Sequence, residues 1–382
     1  MWESYRTKHN SDCGAAYAAM YPEQLLPKEL ERFMGRPRGS TNKPKEGEAA
    51  PAAKTSKVVN ALSEALAFIS VAATKKLQPY NEFCEFTNGF VVMSDGQISA
   101  GYPVEEQLNS IPNFNLLQKA IKGCGKSISI TELDEGRLSI VGEKLRVIVP
   151  CLPHDDFPEI NKDAPIAVID DRLKHAFVTC GAVADENGER LVECSLLLEA
   201  NQCTATDGLV LIQYWHGIDL PPNLVIPKIF AKAVTKVKQP ITAFGWTPEH
   251  SITFYFEGGA WIKTLLYQDK WPDISAIINV QSIPQNVLPG FFEGCLTVGE
   301  FNDDARVYIS EEKVSSHRSL DIGAQYEVKS LTKECSKVFS YESIKIIAPH
   351  VKTIDLVSYA DRAFFFGDNL RGVIISYAAG VE

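Results

Sequence analysis

Apolar positions along this chain form stripes that return at a nearly constant interval. Leu62, Ala65, Leu66 and Ile69 make one helical stripe, and Leu173, Ala176, Phe177 and Cys180 repeat it 111 positions later. A second stripe, Leu116, Leu117, Ala120, Ile121 and Cys124, returns 113 positions on as Ile229, Phe230, Ala233, Val234 and Val237. Such spacing puts each set on one face of a helix. Apolar runs at Phe90–Met93 and from Leu196 onward read as strands. They lead into Ser94-Asp95-Gly96 and Thr206-Asp207-Gly208, turn signals 112 positions apart. Phe157-Pro158-Glu159-Ile160 and Trp271-Pro272-Asp273-Ile274 close the two copies at an offset of 114.

A weaker third copy starts near Ser282. Arg306–Ser310, Gln325–Val328, Ile354–Tyr359, Ala363–Phe366 and Val373–Tyr377 read as its strands, and Ser343, Ile344, Ile347, Ala348 and Val351 as its helix stripe. Repetition of this kind dictates architecture. Each copy is a helix, strands, a second helix and more strands, which is an α+β unit of two helices on antiparallel sheets. The predicted boundaries are 1–55 for an N-terminal extension and linker, then 56–165, 166–278 and 279–382 for three domains. Residues 35–54 are rich in Gly, Pro, Lys, Glu and Ala and read as a linker without a core of its own. Within them Arg36, Pro37 and Arg38 form a Gly-Arg-Pro-Arg-Gly segment resembling a minor-groove hook for A·T-rich DNA; for so short a motif a solvated basic tail is the simpler reading. Met34 offers an alternative start.

Composition narrows the class. The net charge is −10, with 45% hydrophobic and 23% charged residues, as in a soluble globular protein. Nine scattered cysteines without a C-x-x-C pair or a signal peptide read as reduced thiols in a cytoplasm. No apolar run reaches the ~20 residues of a membrane span. Against this acidic background, lysines gather on the second helices. Lys228, Lys232 and Lys236 fall at i, i+4, i+8, with Lys238 beyond them. Lys119, Lys122 and Lys126 decorate the earlier copy, Arg172, Lys174 and His175 open a first helix, and Lys345 and Lys352 flank the third copy's helix. One such row is ordinarily a solvated face. Its recurrence on equivalent helices predicts a positive surface for phosphates, without sequence readout.

At these residues the chain resembles the bacterial DNA polymerase III beta sliding clamp family. The resemblance rests on Ser195-Leu196-Leu197-Leu198-Glu199 with Ala205-Thr206-Asp207-Gly208, on Ile226-Pro227-Lys228, and on Trp271-Pro272-Asp273-Ile274, in order, over about residues 56–380. It implies a DNA clamp fold and a head-to-tail homodimer closing into a ring, with about twelve helices lining the hole. It also implies sequence-independent contact with double-stranded DNA, and a groove that takes linear peptides from DNA polymerase and the clamp loader. The matching groove positions are Thr206, Gly208, Leu209, Leu211, Val373 and Ile375. Plain core is the alternative for the apolar ones. Departures are Leu209-Val210 where the family commonly has His-Arg, Asn279 where it has proline, and a C-terminus without the family's tail. These departures and the extension resemble a phage-encoded member more than a chromosomal one.

No catalytic constellation stands out. There is no phosphate-binding glycine loop, H-E-x-x-H or G-x-S-x-G, and His154-Asp155-Asp156 reads as a solvated loop before Phe157. No metal or cofactor is expected. The reading is a non-enzymatic processivity clamp acting in the bacterial cytoplasm. The alternatives are a clamp-fold adaptor or decoy that binds replication proteins without encircling DNA, and an enzyme on a repeated scaffold.

Overall fold

The computed structural model describes residues 58–73, 78–125, 127–133, 136–310, 312–319, 321–329, 331 and 336–377. The chain divides into two compact units, one of Met1–Asp171 with Lys236–Leu266, the other of Arg172–Thr235 with Tyr267–Glu382. Each unit is organised by one large antiparallel sheet that joins strands from successive copies of the repeat.

In the first unit the large sheet has seven strands. Their order is Glu85–Thr87, Phe90–Ser94, Ile98–Pro103, Trp261–Leu265, Ser251–Phe256, Ile241–Thr247 and Pro165–Val168. Helix α1 (Val58–Ile69) packs on the strands Phe90–Ser94 and Ile98–Pro103 through the predicted stripe, with Leu62, Ala65, Leu66 and Ile69 fully buried. Helix α2 (Phe114–Gly123) starts where the Asn113 side chain accepts a hydrogen bond from Leu116 N at 3.1 Å, satisfying an end group the helix cannot. Its buried face is Phe114, Leu117, Ala120 and Ile121. Leu116, placed in the stripe by sequence, is 41% exposed. Leu116 lies about 100° round the helix from Leu117, whereas Phe114, three residues before Leu117, completes the buried stripe. A smaller sheet orders Ile111–Pro112, Arg146–Leu152, Arg137–Val141 and Ser129–Leu133.

In the second unit eight strands run in the order Leu224–Pro227, Ser195–Glu199, Gln202–Thr206, Val210–Trp215, Leu370–Ile375, Arg362–Gly367, Thr353–Asp355 and Gln285–Asn286. Helix α3 (Arg172–Val183) covers the strands Gln202–Thr206 and Val210–Trp215. Beneath it Cys203, Ala205, Val210, Ile212 and Ile374 are buried. Helix α4 (Lys228–Lys236) buries Phe230, Ala231, Ala233 and Val234, while Ile229, predicted in the stripe, is half-buried. A four-stranded sheet orders Gln325–Glu327, Lys313–Ser315, Arg306–Ser310 and Ser336–Ser340. After the short helix α5 (Ser275–Ile278) come α6 (Phe291–Gly299) and α7 (Tyr341–Ile347).

The third copy departs from its sequence reading in two places. Helix α6 was not anticipated, because Gly294 and Gly299 interrupt its apolar pattern. Those glycines admit side chains: a Cβ on Gly294 would overlap Tyr326, and one on Gly299 would overlap Tyr341. The predicted strand Ile354–Tyr359 stops at Asp355. There the carboxylate turns the chain by accepting from Val357 N (3.1 Å) and Ser358 N (3.0 Å). No helix among the described residues is long and apolar enough to cross a membrane.

Candidate partner groove and basic helix faces

The turn at Thr206-Asp207-Gly208 is built from its own side chains. Asp207 Oδ1 accepts from Leu209 N (2.8 Å) and Val210 N (2.6 Å), and Thr206 Oγ1 accepts from Gly208 N (3.1 Å). Gly208 has φ 89°, a conformation open to glycine. The first copy repeats this arrangement. Asp95 Oδ1 accepts from Gln97 N (2.9 Å) and Ile98 N (2.7 Å), and Ser94 Oγ accepts from Gly96 N (3.1 Å). Thr206 and Gly208 therefore have a structural role that needs no ligand.

The turn feeds strand Val210–Trp215, where Thr206 pairs with Leu211 and Leu211 with Val373. Ile375 N donates to Leu209 O at 2.8 Å. Residues opposite one another in an antiparallel pair share a face. Thr206, Leu209, Leu211, Val373 and Ile375 thus lie together on the face turned away from α3. Leu211 and Val373 are buried and form its floor. Thr206, Leu209 and Ile375 are half-buried, and Gly208 is exposed.

Two apolar neighbours escaped sequence reasoning. Ile283 is 69% exposed and Val357 45% exposed. Asp355 holds both, since its Oδ2 accepts from Ile283 N at 2.8 Å and its Oδ1 from Val357 N. Burial alone would raise the Asp355 carboxyl; the bonds from Ser358, Ile283 and Val357 hold it below its ordinary value. Val357 belongs to the segment leading into Arg362, which pairs with Ile375, so it sits at the Ile375 end of the face. At the other end a cavity of about 380 Å³ opens, lined by Leu197, Gln213, Ile278, Asn279 and Arg371 among others. Asn279, standing where the resemblance expects proline, is exposed at the end of α5. Gln213 and Arg371 were missed because they meet only through strand pairing 158 residues apart in sequence.

The basic residues divide into two groups. Lys119, Lys122, Lys236 and Lys238 are exposed. Lys228 and Lys232 are committed within their own unit: Lys228 Nζ donates to Ala184 O just past the end of α3, and Lys232 Nζ meets Glu186 Oε1 at 2.6 Å. Lys345 stands 3.8 Å from Glu342, and Lys352 pairs with Asp368 at 2.5 Å. Arg172 is exposed, with its Nη1 3.5 Å from Gly217 O, and Lys174 is half-buried. The outward residues of α6 include Glu293 and Thr297, with no lysine. Lys126, and the segment holding Arg36, Pro37 and Arg38, lie outside the described residues.

Elsewhere, His154 Nε2 lies 3.1 Å from Asn109 O within a short turn. Among the described residues no group of three or more His, Cys, Asp or Glu side chains is arranged to hold a metal ion.

No family model matches the sequence, and no curated protein matches it. Solved structures do. A DNA polymerase sliding clamp from Pseudomonas aeruginosa shares 14% identity and a TM-score of 0.71 over 84% of this chain and 98% of that one. The sliding clamp from Bacillus subtilis gives 14% and 0.71 over 85% and 98%. The beta subunit of the Streptococcus pyogenes DNA polymerase gives 16% and 0.70 over 84% and 99%. At such identities the likeness identifies architecture: this chain has the α+β fold of the bacterial sliding clamps.

Proposed function

We propose that the chain is a DNA sliding clamp, a non-enzymatic processivity factor. In this reading it comprises three clamp domains, 56–165, 166–278 and 279–382. Two copies close head to tail into a ring around duplex DNA in a bacterial cytoplasm, whether host or phage-infected. Polymerase and clamp loader dock through linear peptides on the face formed by Thr206, Gly208, Leu209, Leu211, Val373 and Ile375, with Ile283 and Val357 at its rim. The observation that carries the reading is the fold likeness along nearly the whole length of several clamps. Exposed Lys119, Lys122, Lys236 and Lys238 supply phosphate contacts of the kind that position without reading sequence.

Mass in solution and loading test it together. The expected particle is a dimer at micromolar concentration that remains on circular DNA and leaves when the DNA is linearised. Lys236→Glu with Lys238→Glu is expected to shorten residence on DNA. A monomer that never becomes topologically linked would overturn the ring. The adaptor reading has its own support, because Lys228 and Lys232 are already engaged and α6 turns no lysine outward. It predicts peptide binding without any DNA retention. Leu211→Ala should weaken a polymerase-derived peptide about tenfold under either reading, and fluorescence anisotropy would measure it.

A further inference from the structure

The strands of the groove continue past its apolar floor. Beyond the Leu211–Val373 pair, Gln213 stands opposite Arg371 on the same face. Arg371 Nε donates to Gln213 Oε1 at 2.9 Å, and the guanidinium lies over the Trp215 ring, 5.2 Å from its centre. These two contacts fix the guanidinium plane and leave its terminal N–H groups without a protein partner among the described residues. Arg371 sits in the wall of the 380 Å³ cavity, and burial pulls its pKa down. A desolvated cation lacking a counter-charge is unfavourable, and a planar fork of donors matches a carboxylate in two parallel bonds.

Two acids share the cavity but are otherwise engaged. Glu199 Oε2 accepts from Gln202 Nε2 at 2.5 Å, and Asp273 Oδ1 accepts from Ser275 N at 2.9 Å. Neither is within ion-pair distance of Arg371. Their charge opposes a dianion such as phosphate, so a single carboxylate is the favoured anion. The fold does not impose this cavity. At the equivalent register of the first unit Gly101 faces Trp261, and a Cβ on Gly101 would overlap the indole that fills the space.

We propose that Arg371, held by Gln213 and Trp215, is a carboxylate subsite extending the groove, so that the partner peptide carries an acidic group beside its apolar anchors. The proposal rests on the groove reading of Leu211 and Val373. The carboxylate is either an Asp or Glu side chain or a peptide C-terminus.

Calorimetric titration of the full chain with three peptides sharing a Leu and Phe core tests it. The first has Glu at both ends of the core and an amidated C-terminus, the second Gln and an amide, the third Gln and a free C-terminal carboxylate. The first or the third should bind about tenfold tighter than the second, and whichever does identifies the carboxylate's source. Arg371→Gln should remove that preference, so that the three peptides bind the variant with similar affinity. Gln213→Leu should reduce the preference through loss of the guanidinium's anchor. Leu211→Ala should weaken all three. Equal binding of the three peptides, or a preference that survives Arg371→Gln, overturns the subsite and leaves the groove standing if Leu211→Ala still acts. Failure of all three to bind overturns both.

Discussion

The two large sheets repeat one design with opposite outcomes at one position. In the first unit Ser99 pairs with Lys263; in the second, at the same register, Leu211 pairs with Val373. Lys263 is anchored by the segment 161–163: its Nζ donates to Asn161 O at 2.6 Å and lies 3.6 Å from Asp163. Asp163 in turn accepts from Thr247, from Ser251 Oγ at 2.8 Å and from Thr253 Oγ1 at 2.8 Å. Tyr255 donates to its backbone carbonyl, and that burial drives the Tyr255 phenol far above its usual range. The first sheet is thus closed by a buried polar network. The second presents an apolar floor beside a cavity. A repeated fold can keep its hydrogen-bonded frame and yet open a binding face in one copy alone, because alternate strand residues carry the frame and the face separately.

Breaking the network should have the largest effect. Asp163→Ala leaves the nearly buried Lys263 without its counter-charge and strips three hydroxyls of their acceptor, and should cost about 3–5 kcal/mol in urea unfolding. A loss below about 1 kcal/mol would mean that the segment 161–163 does not close the first sheet.

Acid should separate the units next. His216 occupies the position held by Val104 in the first unit, each donating its backbone N–H to an equivalent carbonyl, Asn201 O and Gly89 O. Burial lowers the His216 pKa from 6.5 to about 4, and the nearby Arg172 charge adds to this. Its Nδ1 accepts from Ile218 N at 3.1 Å, a bond that protonation breaks. The folded pKa lies below the unfolded one, so the stabilisation is complete above about pH 6.5 and is lost as pH falls towards 4. The loss approaches about 3 kcal/mol and is confined to the second unit. Hydrogen exchange at pH 7 and pH 4.5 would test it; equal acid sensitivity of the two units, or no flattening of the profile in His216→Val, would refute the assignment.

The smallest effect should be shared. Asp95→Ala and Asp207→Ala each remove two turn bonds and should cost about 1 kcal/mol apiece. If Asp207→Ala also abolishes peptide binding at unchanged stability, the second turn has a role the first lacks.

Much of this was legible in the chain alone. The 3.6-residue stripes located α1 to α4, since a helix must bury one face wherever it packs. The Asp-Gly signals located the turns, since side-chain capping and positive φ are local demands. The six groove positions Thr206, Gly208, Leu209, Leu211, Val373 and Ile375 came from resemblance, and only strand pairing brought the first four beside the last two. Leu116 falls outside the buried stripe because it stands about 100° round the helix from Leu117, while Phe114, three residues before Leu117, completes that stripe. Helix α6 was hidden because its glycines serve contacts with tyrosines far along the chain.

Local periodicity, then, determined the repeat, the helices α1 to α4 and the α+β class, because each depends on residues within a turn or a strand. Tertiary structure decided which lysines are already paired, because Lys228 and Lys232 find acceptors 44 and 46 residues away. It decided too that Arg371 meets Gln213, and that one sheet closes over Asp163 while the other opens beside Leu211. Those outcomes depend on pairings between distant segments, and no pattern within either segment encodes them.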